Sequence, residues 1–274
     1  MSQAEEKSDK SVNLGAVRSI LFLPASNPRA IAKARGAGAD LVVLDLEDAV
    51  KPEDKIAARA AAIAAVAEPW PMPVAIRING TLSEWHLADV EAIANSSADL
   101  VVVPRCAEAD QARLVHAMTR KPVLAMIETA AGVLAAPGIA HEVSALIAGT
   151  NDLAAELRLP PDAGRPPLQM ALQSIVLAAR AARIAVFDGV FNRLDDEAGL
   201  AAEAAEGRRL GFDGKSLIHP DQIEPCHRAF APSAAQIDRA RRLIAAATGG
   251  AERFEGEMIE RMHVATAEQL LARG

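Results

Sequence analysis

Two cysteines in 274 residues, Cys106 and Cys226, are too few for a disulfide framework or a four-thiolate zinc site, which fits a reducing compartment. No run of about 20 apolar residues is present to cross a bilayer. The opening MSQAEEKSDK has neither the basic end nor the apolar stretch of a secretory or transit signal, so a cytoplasmic location is expected. Positive charge is also short. With 29 Lys and Arg against 36 Asp and Glu, a net charge of −7 gives no general attraction to nucleic acid or an anionic membrane. Only a local basic pocket for an anionic ligand remains open. The glycine-rich GxGxxG turn of dinucleotide-binding sheets is missing too, its place taken by PASNPR.

What is present is a 51% hydrophobic chain, enough for the core of one barrel of about 200–250 residues. Short β-branched runs recur at residues 18–25, 41–48, 73–79, 100–106, 122–129, 144–152, 185–190 and 213–220, with Ala-rich helical patterns between most of them. Eight such units predict an α/β fold, a closed (β/α)8 TIM barrel. Beyond Pro220, helical stretches are expected over 233–247 and 258–272, separated by the turn-rich TGGAERFEGE. The expected division is a flexible tail over 1–16, a catalytic barrel over 17–222 and a helical appendage over 223–274.

In a barrel of this kind ligands bind at the C-terminal ends of the strands, so polar residues closing apolar runs are site candidates. Asp45, Glu47 and Asp48 close the second run, Arg77 and Asn79 the third, Arg105 the fourth, Glu128 the fifth, and Asn151 and Asp152 the sixth. Glu128 and Asp152, on neighbouring strand ends without histidine, suit Mg²⁺ or Mn²⁺ rather than zinc. Their bland alternatives are helix caps. Arg77 can bind a carboxylate or stabilise a forming enolate, or be spent on an ion pair with Asp45 or Glu47. Glu47, Asp48 and Arg105 can orient groups around the metal or simply pair with one another. His219, followed by proline, suits a structural turn better than catalysis. After Pro24, Asn27 caps a helix opened by Pro28, with Arg29 and Lys33 one turn apart. That is either a phosphate site or a capped helix with a solvated basic face.

The motifs RSILFLPASNPR, LVVLDLEDAVKPEDK, AIRIN, LVVVPR, MIETAAGV, IAGTNDLA, LGFDGKSLIHPDQI and EGEMIE resemble, in order, the citrate lyase β-subunit and malyl-CoA lyase branch of the HpcH/HpaI aldolase superfamily. The resemblance implies Glu128 and Asp152 as ligands of Mg²⁺, with Mn²⁺ as a substitute, and Arg77 against the substrate carboxylate or enolate. It implies CoA contacts around Pro24, Asn27, Arg29 and Lys33. It further implies a homo-oligomer, a trimer or hexamer, in which the C-terminal segment of one subunit covers the next barrel. The activity implied is cleavage or formation of a 3-hydroxyacyl-CoA such as malyl-, citramalyl- or citryl-CoA, with acetyl-CoA and a 2-oxo acid as partners. Two departures stand out. The branch usually ends its motif G-x-M-I-D, whose aspartate reaches the neighbouring active site; Glu260 stands there here and is expected to keep that catalytic role, and Ala130 and Ala131 follow Glu-Thr where arginine is common. Three other readings stay open: a class II pyruvate aldolase without CoA, a malyl-CoA thioesterase, and a β-like subunit working with citrate-lyase-type complex partners.

Overall fold

The computed structural model describes residues 12–272. Eight parallel strands, β1 (Ser19–Pro24), β2 (Leu41–Asp45), β3 (Val74–Arg77), β4 (Leu100–Val103), β5 (Val123–Ile127), β6 (Ala145–Ala148), β7 (Ala185–Asp188) and β8 (Gly214–Leu217), close into one barrel in sequence order. Each predicted run holds one strand, and β8 returns to pair with β1, Ser19 opposite Lys215. The runs become strands because both faces are buried. Leu21, Val42, Leu44, Ile76, Val101 and Ile127 face the helices at 2% exposure or less.

The alternate residues fill the barrel. Ile20, Leu41, Val43, Ala75, Leu100, Val102, Leu124, Ile147 and Phe187 form one interior cluster, small alanines facing large neighbours. Side chains alternate with a period of two, so one step beyond Val43, Ala75 and Met126 the same inward face delivers Asp45, Arg77 and Glu128 to the barrel mouth. The apolar pattern therefore aims the site.

Three expected boundaries move. Of the expected tail, residues 1–11 lie outside the described residues, whereas Leu14–Ala16 form a 3-10 turn that buries Leu14 in the interior cluster with Val12 packed on it. The helix Ile223–Phe230, expected in the appendage, belongs to the barrel unit in all but its last residue, since that unit runs to Ala229. Its apolar face carries Ile223, Cys226 and Phe230, all buried, and His227 Nε2 lies 2.8 Å from Ser19 Oγ. The second unit, Phe230–Gly274, has the helix Ala234–Ala246, an antiparallel hairpin of β9 (Glu252–Phe254) and β10 (Glu257–Ile259), and the helix Arg261–Leu271. The hairpin replaces the expected turn and the first residues of the expected last helix. Glu255 and Gly256 both take positive φ, 49° and 90°, which suits a tight two-residue hairpin turn. Ala240, Leu243, Ile259 and Ala267 form that unit's own core.

Candidate active site

Asp45 organises the loop after β2. Only 1% exposed, its two oxygens accept from the backbone N–H groups of Glu47 at 2.8 Å and Ala49 at 3.1 Å. They also accept from Arg77, Nε at 2.6 Å and Nη2 at 2.5 Å, a two-pronged contact. Arg77 Nη1 lies 2.8 Å from Glu47 Oε2 and 3.8 Å from Asp48. The ion pair weighed for Arg77 thus exists, and Arg77 still lines the cavity at the barrel mouth. Burial works against its charge, but Asp45 first and then Glu47 more than offset it and hold its pKa above the ordinary value.

Beneath this loop lies a residue that sequence reasoning missed. Lys55 is 6% exposed, and its Nζ donates to Leu46 O and Glu47 O, both at 2.7 Å, and to Asn79 Oδ1 at 2.6 Å. Burial pushes its pKa down, against the opposing pull of Asp45 and Glu47. Asn79 in turn donates to Asp89, which also receives Arg59. The chain of bonds ties the β2 and β3 ends to the helices behind them. Lys55 closes the LVVLDLEDAVKPEDK motif, but nothing in that pattern separates it from a surface lysine of a helix start.

Glu128 follows β5, 2% exposed, and its Oε1 accepts from the Arg105 backbone N–H at 2.6 Å. Arg105 adopts φ 47°, a left-handed conformation uncommon for a side-chain-bearing residue, and this turns its amide toward Glu128. The Arg105 guanidinium reaches Asp152 at 3.1 Å and Glu156 at 4.0 Å. One residue therefore touches both expected metal ligands, by backbone and by side chain. Asp152 lies in the first turn of the helix Thr150–Glu156 rather than on a strand end, because β6 stops at Ala148. Gly149 intervenes, and any Cβ there would run into the Glu128 side chain.

Glu128, Asp152, Asp48 and Arg77 line one cavity of about 370 Å³, with Phe22, Pro24 and Met126 among its apolar walls. Asn151 and Asn192 close its rim with a reciprocal amide pair at 3.2 and 2.7 Å. Carboxylates outnumber cations here. Burial, reinforced by Asp152 and Asp48, pushes the Glu128 carboxyl up to about 7 against the pull of the Arg105 amide and Arg77. Burial likewise raises Glu47 to about 8 despite Arg77.

Between the ordinary carboxylate value of 4.5 and about 8, the folded metal-free protein therefore holds protons that the unfolded chain has released. Stability should fall as pH rises through this window. Asp40, whose pKa is depressed, adds dependence only at lower pH. Melting in EDTA at pH 5.5 and pH 8 checks this; a flat or rising midpoint would refute it.

The chain matches the HpcH/HpaI aldolase/citrate lyase family model over residues 18–220. It belongs to that family. Among family members it is 42% identical to a (3S)-malyl-CoA thioesterase of Cereibacter sphaeroides strain ATCC 17029, covering 93% of this chain and 94% of the relative. It is 34% identical to citrate lyase subunit beta of Escherichia coli K12, over 93% and 92%. A solved CitE of Mycobacterium tuberculosis, in complex with magnesium, acetoacetate and coenzyme A, superposes with a TM-score of 0.84 at 33% identity, covering 94% of this chain and 98% of that one.

Asn27, Arg29, Lys33 and His219 are not among the residues that line the cavity of this family member. Asn27 Oδ1 caps the helix Pro28–Ala34 through Ala30 N at 3.1 Å, and Arg29 and Lys33 are exposed on it. Glu260 caps the helix Arg261–Leu271 in the second unit, its N–H donating to His263 Nδ1 at 3.0 Å. His219 accepts from Asp221 N at 3.2 Å, the structural turn its proline suggested.

Proposed function

We propose that this chain is a Mg²⁺-dependent carbon–carbon lyase that cleaves a 3-hydroxyacyl-CoA such as malyl-CoA, citramalyl-CoA or citryl-CoA into acetyl-CoA, or a close analogue, and a 2-oxo acid. The convergence of Glu128, Asp152 and Arg77 on one cavity carries the reading. The relatives named for (3S)-malyl-CoA and citrate support it, as does the CitE complex with magnesium and coenzyme A.

The residues fit such a cation. Glu128 and Asp152 are hard oxygen donors, and among the described residues no cluster of three His, Cys, Asp or Glu forms a complete cage. That suits an ion that keeps room for water and a chelating substrate. Burial first, and then repulsion from Asp152 and Asp48, raises the Glu128 pKa, and a divalent cation would offset both. When bound, Mg²⁺ would supply Lewis-acid polarisation of the substrate's carboxylate and adjacent oxygen.

The protein's own groups do the rest. The substrate hydroxyl loses its proton, the carbon–carbon bond breaks, and negative charge develops on the thioester oxygen. Arg77, locked in place by Asp45 and Glu47, offers fixed N–H donors to that charge, and the new carbanion carbon is then protonated. For acid–base work we assign Glu260, delivered by the C-terminal unit of a neighbour in a homotrimer or hexamer. Asp48 and Arg105 orient the groups around Glu128 and Asp152. Pro24, Asn27, Arg29 and Lys33 take the CoA moiety at the mouth. A cytoplasmic setting accords with two free, buried cysteines and with no helix long and apolar enough to cross a membrane among the described residues.

Neutralising Arg29 and Lys33 together should raise KM for the CoA substrate, by about 10-fold, more than it lowers kcat, because remote phosphate contacts bind ground state and transition state alike. Steady-state kinetics would show an unchanged KM if the CoA binds elsewhere.

The 42%-identical relative favours a second reading, hydrolysis of the malyl-CoA thioester itself. Incubation of (3S)-malyl-CoA with the protein and Mg²⁺ separates the two. Acetyl-CoA and glyoxylate mark the lyase, malate and free CoA thiol the thioesterase. Cleavage of free 4-hydroxy-2-oxo acids alone would overturn both.

A further inference from the structure

One polar group in the cavity is used neither by the protein nor by the chemistry above. Ser216, on β8, is 2% exposed, lines the cavity, and its Oγ has no hydrogen-bond partner. Its chain neighbour Lys215 is engaged with Asp188 and Glu203 on the helix side, so strand alternation turns Ser216 toward the interior. Two other buried polar atoms without hydrogen bonds, Glu47 Oε2 and Arg165 Nε, each lie within ion-pair distance of an opposite charge. Ser216 Oγ has no such compensation. An unpaired buried hydroxyl costs on the order of 1–3 kcal/mol, so native proteins generally supply it with a partner.

The strand order says where that partner must be. Round the eight-stranded ring, β8 is three strands from β3, which carries Arg77, and three from β5, which leads into Glu128. Ser216 therefore stands on the far wall of the cavity, beside apolar Phe22, Val190 and Ile218. An aliphatic end of a ligand would be accepted by those three alone. A hydroxyl among them favours an oxygen.

We propose that Ser216 is a substrate-contacting residue that determines specificity. Its hydroxyl donates to an oxygen at the end of the bound acid remote from Glu128 and Asp152. This rests on the reading of the cavity as an acid-binding site, and it narrows the ligand class to acids bearing oxygens at both ends. A four-carbon dicarboxylic oxo acid, the product of a citryl-CoA-type substrate, fits. One ending in a methyl group leaves the hydroxyl unpaired.

Calorimetric titration of oxaloacetate and of pyruvate into the full chain with Mg²⁺, comparing the unaltered protein with Ser216→Ala, tests this. Oxaloacetate Kd should rise about 10-fold or more, the size expected for a hydrogen bond to a charged group. Pyruvate Kd should stay within about twofold, and the melting temperature should hold or rise, since an unpaired hydroxyl has been removed. Unchanged oxaloacetate affinity, an equal loss for both acids, or a lower melting temperature would overturn the assignment, the last by showing that the hydroxyl serves the fold. The titration needs no turnover, so a protein that fails to cleave (3S)-malyl-CoA can still bear out Ser216. If the unaltered protein binds neither acid, the proposal falls.

Discussion

Replacing Arg77 with lysine should lower kcat by about 100-fold or more while the protein still folds, because an ammonium cannot reproduce the planar fork. In the native site the guanidinium makes two bonds to Asp45 and pairs with Glu47 while lining the cavity. Lysine can satisfy one of those carboxylates at a time. Removing a buried charge outright would cost about 3–5 kcal/mol by stranding its partner, so the conservative replacement separates catalysis from folding. It retains the charge that Asp45 needs and loses the geometry. Steady-state kinetics with (3S)-malyl-CoA, alongside thermal melting, supply the check. A near-normal kcat would assign Arg77 to structure alone.

Asp152→Ala should abolish Mg²⁺ binding and depress turnover on the order of 10³-fold, equivalent to about 4 kcal/mol of barrier. The fold should survive. Asp152 is partly exposed on the first turn of a short helix, and its ion-pair partner among the described residues, Arg105, is half exposed and has Glu156 within reach. Glu128 is the riskier target because it is buried, bonded to the Arg105 amide and packed on Gly149. Isothermal titration of Mg²⁺ and turnover in EDTA measure the two halves of the expectation. Full turnover in EDTA would sink the metal reading for the unaltered protein as well.

The barrel was legible because its strands are buried on both faces, and β-branched runs of that kind are hard to read as anything else. Asp45, Arg77 and Glu128 stand out in the sequence because each is a polar residue closing an apolar run. Asp152 is expected on a strand end, whereas it lies in the first turn of a helix. Lys55 and Ser216 escaped notice because their importance lies in three carbonyl acceptors and in none, respectively, and neither count leaves a trace in local pattern. Arg105 was named for its side chain, while its shortest contact with a metal-ligand candidate is through its backbone, which a residue type cannot announce. The β9–β10 hairpin was hidden by its glycines and charges, which mimic an ordinary linker.

Seven of the eight seams between barrel strands join consecutive strands, but the seam between β8 and β1 brings Ser19 against Lys215 across most of the unit. Loop-closure entropy grows with the logarithm of length, so an eightfold longer loop costs about 2 kcal/mol more than one joining neighbours. On loop length alone, that seam is expected to close last. It also has its own clasp: His227, on the helix after β8, sits 2.8 Å from Ser19 Oγ and 3.4 Å from Asp40, which holds Arg18 at the foot of β1. Those clasping groups sit at the foot of the strands, away from the mouth where substrate is handled. The seam meets the mouth at Ser216 and Phe22, where its two strands line the cavity.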